Sequence, residues 1–284
     1  MTAALCAWFL MACDGADAST GHDADANTPL VDAAIDAEVL GDSATDASSG
    51  LPPGPSSARQ VPRPLGTTSA ANGYYEYLPP GYGNGDSFPL LVFWHGLLEG
   101  GNGTTELSRV LGHGPPQLIA NDQWPDARPF VVLSPQHGGG GCPTANEIHA
   151  FIAYAASAYQ VDPQRLYLTG LSCGAIGSWD YLSTYLDEQI AAMVPVCGNG
   201  QGAWSNRGCD LGRVAIWAFH GDVDDIVPVA GSTTPLYGLA GCASPPRKDA
   251  LLTLYQGVGH NSWTQTYDLS AGHDIYAWLL THHK

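Results

Sequence analysis

Basic residues are scarce in this sequence. The 284 residues include 10 Lys and Arg against 27 Asp and Glu, which gives a formal net charge of -17. About half of this excess lies in residues 14–60, where Arg59 is the sole basic residue. Because no Lys/Arg cluster is present to displace counterions from phosphates, nucleic acid is excluded as an expected partner. Electrostatic adhesion to anionic lipid is disfavoured for the same reason.

Paired cysteine motifs of the zinc-binding kind are also missing. No CxxC pair is followed by a second pair or by paired histidines, so we predict no metal site. We also predict no organic cofactor. Seven cysteines are nevertheless present. If Cys6 is removed and Cys13 is lipidated, five remain, which allows two disulfides and one free thiol in an exported protein. The sequence leaves the connectivity open among Cys142, Cys173, Cys197, Cys209 and Cys242, with Cys197 and Cys209 as the most local pair.

The first thirteen residues are apolar but too few to span a bilayer, which is typical of an export signal. Residues 10–13 resemble the lipobox of bacterial lipoproteins, which implies a lipid anchor at Cys13. We therefore expect a secreted protein or a bacterial cell-envelope lipoprotein. Residues 14–60 are rich in Asp, Ala and Ser and predict a disordered acidic tether. A ligand-binding acidic tail is the alternative for this segment.

Residues 61–284 predict a single domain of the α/β class. Short apolar runs alternate with stretches of helical periodicity, which is typical of a mostly parallel central sheet with helices on both faces. The predicted strands are residues 88–94, 130–134, 165–169, 190–196, 214–219 and 251–255. The predicted helices are residues 146–159, 175–185 and 274–282. No solenoid repeat is visible.

The sequence Gly-Leu-Ser-Cys-Gly at residues 170–174 matches the G-x-S-x-G nucleophile elbow. A short motif of this kind is weak alone in a chain with 35 glycines. Here it falls between a predicted strand and a predicted helix, which is the context that the motif requires. We therefore predict Ser172 as a nucleophile.

A serine nucleophile needs a base, and the base needs a group that orients it. His260 follows the predicted strand 251–255 and is the candidate base. Three acids follow the strand 214–219, namely Asp222, Asp224 and Asp225, and spacing alone does not choose among them. His95 and His220 are expected to form hydrogen bonds within their own loops.

The chain resembles the α/β-hydrolase esterases that include polyhydroxybutyrate-depolymerase-like and feruloyl-esterase-like proteins. The resemblance runs from about residue 74 to the end and is carried by residues 78–82, 89–96 and 161–172 and by the loops of His220 and His260. It implies the α/β-hydrolase fold and assigns the acid to Asp224, four residues after His220. It also implies an oxyanion hole formed by the backbone N–H groups of Leu97 and Cys173.

These residues predict a serine carboxylic-ester hydrolase that acts through an acyl-enzyme. The expected substrates are esters of plant polysaccharide or polyester and hydroxyalkanoate, and we expect a monomer. Trp204 and Trp263 are candidates for the substrate pocket because both are placed in loops near the catalytic elements. The alternative function is a non-catalytic, surface-anchored binding module on the same fold.

Overall fold

One eight-stranded sheet organises the residues that the structure describes, 59–243 and 248–284. The structure is a computed structural model. The strands are β1 (Val61–Arg63), β2 (Tyr74–Tyr77), β3 (Phe88–Trp94), β4 (Val131–Pro135), β5 (Val161–Leu171), β6 (Ala192–Val196), β7 (Ala215–Gly221) and β8 (Ala250–Tyr255). Their order across the sheet is β1-β2-β4-β3-β5-β6-β7-β8. The β1–β2 and β2–β4 pairs are antiparallel, and the pairs from β4 to β8 are parallel.

Helices connect the strands and cover the sheet. They are α1 (Gly114–Ala120), α2 (Ala145–Ala158), α3 (Cys173–Tyr185), α4 (Gln201–Arg207), α5 (Ala230–Ala240), α6 (Trp263–Tyr267) and α7 (Ile275–Leu280). Short 3₁₀ turns occupy Leu97–Glu99, Leu107–Gly112 and Gly208–Arg213. In α2, the Thr144 hydroxyl accepts a hydrogen bond from the Glu147 N–H, which satisfies one of the free donors at the helix start.

Two apolar cores lie on opposite faces of the sheet. Leu90 and Val92 of β3 point into the core that contains side chains of α2, α3 and α5. Leu91 and Phe93 of the same strand point into the core that contains side chains of α1, α6 and α7. This alternation follows from the two-residue period of a strand. It confirms the predicted α/β architecture, with a mostly parallel sheet and helices on both faces.

Strand β5 is longer than the five residues predicted for it. It runs from Val161 to Leu171 and pairs with β3 on one side and β6 on the other. The N-terminal part of β5 includes Pro163 and polar residues, so the apolar pattern in the sequence revealed only the buried C-terminal part of the strand. That end leads into Ser172.

The predicted export signal, the Cys13 anchor and most of the predicted tether lie outside the described residues. Arg59 and Gln60, which the sequence placed at the end of the tether, instead pack against the folded unit. Arg59 Nη1 donates to the carbonyl of Trp124 at 2.7 Å, and buried Gln60 donates to the carbonyl of Pro116 at 2.8 Å. No helix within the described ranges has the length and apolarity to cross a membrane.

Two disulfides and one free thiol occur among the five cysteines in the described residues, in agreement with the predicted count. The disulfides are Cys142–Cys173 and Cys209–Cys242. Cys197 is free and buried. The most local pair, Cys197 and Cys209, is thus not bonded, and the structure supplies the connectivity that the sequence left open. Cys197 lies in the core just after β6. Cys209 belongs to the turn Gly208–Arg213 and bonds to Cys242, which follows α5.

Candidate active site

Ser172 occupies a strained turn between β5 and α3. Its backbone has φ 49° and ψ -114°, in the left-handed region that disfavours residues with a side chain. The Ser172 N–H donates to the carbonyl of Val196 at 2.9 Å, which ties the turn to β6. The turn places the serine at the carboxyl edge of the parallel strands, as the elbow motif predicts.

Close backbone contacts explain the two glycines of the motif. A Cβ on Gly174 would lie 2.1 Å from the carbonyl oxygen of Trp94, and one on Gly170 would lie 2.8 Å from the carbonyl oxygen of Gly174. Real Cβ atoms do not approach backbone oxygens this closely. The elbow therefore requires glycine at both positions so that β3, β5 and α3 can pack together.

His260 and Asp224 meet Ser172 at the same edge of the sheet. His260 Nε2 lies 2.9 Å from Ser172 Oγ, and His260 Nδ1 lies 2.8 Å from Asp224 Oδ2. Asp224 follows β7 and His260 follows β8. Since parallel neighbours end at one edge, the three side chains converge although they are far apart in sequence. The structure thus brings together the predicted nucleophile, base and acid.

The Asp224 carboxylate is fully buried and held by three donors. Its Oδ1 accepts from the N–H groups of Ile226 and Val227, both at 2.9 Å, while its Oδ2 faces His260. Burial alone raises the pKa of Asp224, but the His260 hydrogen bond and the two backbone donors outweigh it, so the pKa is lowered. Asp224 is therefore ionised at neutral pH and can stabilise a protonated His260.

The two other acids of this loop face elsewhere. Asp222 is exposed, and its Oδ1 accepts from the N–H of Gly257 at 2.7 Å. Asp225 is also exposed. Of the three acids in this loop, Asp224 is the one that contacts His260. It is also the acid that the family resemblance implied.

His220 is a second histidine beside the Asp224 carboxylate. It is fully buried, with Nε2 3.2 Å from Asp224 Oδ2 and 2.9 Å from the carbonyl oxygen of Val227. Its Nδ1 lies 2.8 Å from Ser232 Oγ. Burial lowers the pKa of His220, so the ring is neutral at pH 7. The sequence predicted a bond within its loop, which the Val227 contact fits, but it did not predict the contacts with Asp224 and with α5.

The residues expected to form the oxyanion hole border Ser172 from two sides. Cys173 is the first residue of α3, where backbone N–H groups have no partner within the helix. Leu97 opens the 3₁₀ turn after β3, and a Cβ on the preceding Gly96 would lie 3.8 Å from Ser172 Cβ. Cys173 is thus the chain neighbour of Ser172, and Leu97 follows a residue that lies beside it.

His95 fixes the start of this 3₁₀ turn. Its ring is buried, its Nδ1 lies 2.6 Å from the Gly96 carbonyl oxygen, and its Nε2 accepts from the His137 N–H at 2.9 Å. Since Nε2 accepts, Nδ1 carries the proton and donates to Gly96. Burial lowers the pKa of His95 to about 4, so the ring is neutral at pH 7 and keeps this arrangement.

A cavity of about 310 Å³ opens beside Ser172 and His260. Its apolar wall comes from Leu97, Leu98, Ile226 and Trp263. The Trp263 ring meets the His260 ring edge to face, with centroids 5.3 Å apart. Such walls suit the apolar part of a small ligand.

Among solved structures, the chain is similar to a thermostable esterase, with a TM-score of 0.60 and 23% identity over 79% of this chain. The chain spans 63% of that esterase's length. It is also similar to an acetyl xylan esterase from Aspergillus awamori, with a TM-score of 0.53, 18% identity, and 77% of this chain and 98% of that one covered. A feruloyl esterase module from Clostridium thermocellum, complexed with sinapinate, gives a TM-score of 0.51, 17% identity, and coverage of 73% and 82%. No family model matches the chain, and neither does any curated protein sequence.

The chain has the α/β-hydrolase fold. In this fold the nucleophile, acid and histidine occur in that order along the chain, each on a loop at the carboxyl edge of the sheet. Ser172, Asp224 and His260 follow β5, β7 and β8 in the same order. Both the strand order and the position of Ser172 thus agree with the α/β-hydrolase fold.

The two tryptophans considered for the substrate pocket occupy different parts of the fold. Trp263 lines the cavity, whereas Trp204 does not. Trp204 belongs to α4 and packs against the core, and a Cβ on Gly238 of α5 would lie 2.3 Å from its ring. The expectation that Trp204 contributes to the pocket is therefore corrected, because its ring fills the α4–α5 contact.

One group of potential metal ligands lies at this site. The ligand atoms of Cys197, Asp224 and His260 are all within 4.8 Å of one another. Metal binding by cysteine requires the thiolate. Burial raises the pKa of the Cys197 thiol to about 12, so the thiol is protonated at neutral pH and is a poor ligand. The carboxylate and the imidazole already bond to each other.

Proposed function

We propose that this protein is a serine carboxylic-ester hydrolase. The observation that carries the proposal is the continuous chain of short contacts from Ser172 Oγ to His260 Nε2, at 2.9 Å, and from His260 Nδ1 to Asp224 Oδ2, at 2.8 Å. An unassisted serine hydroxyl is a weak nucleophile at neutral pH, and this arrangement supplies the base and its orienting group. Its position on an α/β-hydrolase elbow supports the same reading.

In the proposed reaction, Ser172 Oγ attacks the ester carbonyl carbon while His260 Nε2 accepts the hydroxyl proton. Asp224 stabilises the resulting imidazolium. The N–H groups of Cys173 and Leu97 donate to the oxyanion of the tetrahedral intermediate, and donors of this kind contribute about 3 to 4 kcal/mol each. His260 then protonates the departing alcohol, which leaves the acyl group on Ser172. In the second half, His260 takes a proton from water as the water oxygen bonds to the acyl carbon. The bond from that carbon to Ser172 Oγ then breaks, His260 returns the proton to Oγ, and the acid leaves.

The test is hydrolysis of p-nitrophenyl acetate by the parent and by Ser172→Ala. We expect kcat/KM to fall about 10³-fold or more, because the nucleophile is lost. Ser205→Ala is the matched control, since Ser205 is an exposed serine of α4 whose hydroxyl bonds to the Gln201 carbonyl. Equal activity of Ser172→Ala and the parent would contradict the proposal.

The alternative of a non-catalytic binding module is not favoured by any contact at the site. Labelling with a fluorophosphonate probe separates the two functions. A hydrolase of this type forms a covalent adduct at Ser172, whereas a binding module does not. Mass spectrometry of the labelled peptide identifies the modified residue.

The proposed substrates are esters with a bulky apolar part, in plant polysaccharide or in polyester and hydroxyalkanoate. Support comes from the apolar cavity wall and from three of its residues that are largely solvent-exposed: Leu98 at 86%, Ile226 at 67% and Leu97 at 56%. An exposed apolar rim around a reactive serine favours a substrate that continues beyond the cavity. Rates on feruloyl, acetyl and hydroxyalkanoate esters, compared at equal concentration, test this range.

We also propose export of the protein, with a lipid anchor at Cys13, and a monomeric state. The disulfides Cys142–Cys173 and Cys209–Cys242 support an oxidising compartment. Mass spectrometry of the N-terminal peptide from membrane and culture fractions tests the anchor. Cys13→Ala should move the protein from the membrane fraction to the medium, and a variant that stays in the membrane would contradict a lipid anchor at this residue. Sedimentation measures the oligomeric state.

A further inference from the structure

One acidic side chain borders the cavity without an assigned role. Glu99 ends the 3₁₀ turn Leu97–Glu99 that follows β3 and is 9% exposed. It lines the same cavity as Ser172 and Trp263. A carboxylate in a cavity with a mainly apolar wall is costly unless its oxygens receive hydrogen bonds.

Within the described ranges, no donor forms a hydrogen bond to the Glu99 carboxylate. The nearest cation-forming group is His113, whose Nε2 lies 3.5 Å from Oε1. The other buried acids differ in this respect. Glu76 accepts from Arg63 and from the Tyr159 hydroxyl, and Asp224 accepts from two backbone N–H groups besides its contact with His260. Glu99 thus has acceptor capacity that the fold leaves unused.

The unused carboxylate is close to the reacting serine. A Cβ on Gly96 would lie 3.0 Å from Glu99 Oε2 and 3.8 Å from Ser172 Cβ. Glu99 and Ser172 thus both lie beside Gly96, together with Leu171, whose Cδ1 would be 2.8 Å from the same Cβ. On its far side, the Glu99 side chain packs along Gly112, where a Cβ would lie 3.7 Å from Glu99 Cγ. The Glu99 side chain thus lies beside Gly96 and Gly112, and Gly96 marks its end of the cavity.

We infer that Glu99 is a specificity-determining residue that selects esters presenting a hydrogen-bond donor, such as a hydroxyl group, to this end of the cavity. The inference rests on the proposed ester hydrolysis. A substrate that fills the cavity displaces solvent from the carboxylate. A hydroxyl group then restores a hydrogen bond, a purely apolar group leaves the acceptor unpaired, and a substrate carboxylate adds like-charge repulsion. The order of preference is therefore hydroxyl, then apolar, then anionic.

The test uses three p-nitrophenyl esters of similar shape, with benzoyl, 4-hydroxybenzoyl and 4-carboxybenzoyl as acyl groups. For the parent we expect kcat/KM to be at least tenfold lower for the 4-carboxybenzoyl ester than for the 4-hydroxybenzoyl ester. In Glu99→Gln the charge is gone but an acceptor oxygen remains. The discrimination against the carboxylate should therefore shrink about tenfold, while a preference for the hydroxyl persists. In Glu99→Leu the acceptor is also gone, and the preference for hydroxyl over benzoyl should disappear.

Asp225→Asn is the matched control, because it removes the same charge from an exposed residue that does not line the cavity. It should keep the parent's ratios among the three esters. If the discrimination among the esters came from the long-range field of the surface charges, it would weaken with added salt and would also change in Asp225→Asn. Melting midpoints of all variants show whether each is folded.

The outcomes separate the two proposals. No hydrolysis of any of the three esters by the parent would contradict the proposed function itself. Hydrolysis with equal rates for the 4-carboxybenzoyl and 4-hydroxybenzoyl esters in the parent would overturn the role of Glu99 alone. Unchanged ratios in folded Glu99→Gln would do the same and would leave Glu99 as a residue that supports the 3₁₀ turn. If neither Glu99 variant folds, the parent's ratios decide the question.

Discussion

Cys173, the residue that follows the proposed nucleophile Ser172, is joined by a disulfide to Cys142. Cys173 is 6% exposed and starts α3, whereas Cys142 lies partly exposed after a run of exposed glycines at residues 138–141. The bond therefore links the proposed oxyanion donor to a segment that follows β4. Since the donor N–H must be held in place before charge develops on the substrate, this link is expected to matter for catalysis as well as for stability.

Removing the Cys142–Cys173 disulfide should reduce both the catalytic rate and the stability of the fold. Cys142→Ala/Cys173→Ala and Cys209→Ala/Cys242→Ala remove bonds with sequence separations of 31 and 33 residues. Chain entropy thus predicts a similar loss for each pair, about 3 to 4 kcal/mol of unfolding free energy. The first pair should in addition lower kcat at least tenfold, and the second should leave kcat near the parent value. Urea unfolding and p-nitrophenyl acetate kinetics measure the two effects. Similar kcat in both double variants would refute the special role of the elbow disulfide.

Asp224 is expected to contribute strongly to the reaction. Asp224→Asn removes the charge opposite His260 and permits the wrong tautomer of the imidazole, so kcat should fall by about 10³- to 10⁴-fold. Asp225→Asn, one residue further along the same loop, is the control and should behave like the parent. A loss in Asp225→Asn that equals the loss in Asp224→Asn would show that the acid is wrongly assigned. Circular dichroism of both variants checks that the loop change has not unfolded the domain.

Local signals in the sequence were sufficient to predict Ser172 and His260, whereas the choice of Asp224 among three neighbouring acids came from the family resemblance. Gly170 and Gly174 mark the elbow, since neighbouring backbone leaves no room for a side chain at either position. Each remaining residue of the Ser172–Asp224–His260 set follows a short apolar run that forms a buried or half-buried strand. Parallel pairing then brings the ends of these strands to one edge without any further information in the sequence.

Other features depend on contacts between distant segments, which no local pattern encodes. Strand β1 has three residues and β2 has four, so neither provides enough alternation to be recognised. Helix α5 contains Pro235, which hides its helical pattern. Trp204 and Trp263 looked equivalent as aromatic residues near the site, and only the packing of α4 on α5 separates them. The cysteine pairs were undetermined for the same reason.

Acid should destabilise the folded protein through His95. Its pKa is lowered to about 4 in the folded state by burial, against 6.5 for a free histidine. Between pH 6.5 and about 4, the unfolded chain binds a proton here that the folded chain does not, so stability falls as the pH decreases through this window. The full loss is about 3 kcal/mol. Urea unfolding of the parent at pH 7, 5.5 and 4.5 measures it.

His95→Gln provides the comparison for this pH effect. The variant should be less stable at pH 7, since the bonds to Gly96 and His137 are altered, but it should lose less stability between pH 6.5 and 4.5. A remaining slope is expected because burial also lowers the pKa of His220. An identical slope in the variant and the parent would show that His95 does not cause the acid sensitivity.

The exposed apolar rim should matter most for large, water-insoluble esters. Leu98→Ser/Ile226→Ser removes two exposed apolar side chains at the mouth of the cavity. Fully burying a side chain of this kind against an apolar surface contributes about 1.5 to 3 kcal/mol. The rate on a suspended polyester, divided by the rate on p-nitrophenyl acetate, should therefore fall at least tenfold. Tyr237→Ser removes a similarly exposed aromatic residue of α5 that does not line the cavity, and its ratio should equal that of the parent. If the two variants lower the ratio equally, the rim has no specific part in holding the substrate, and a small soluble ester becomes the better-supported substrate class.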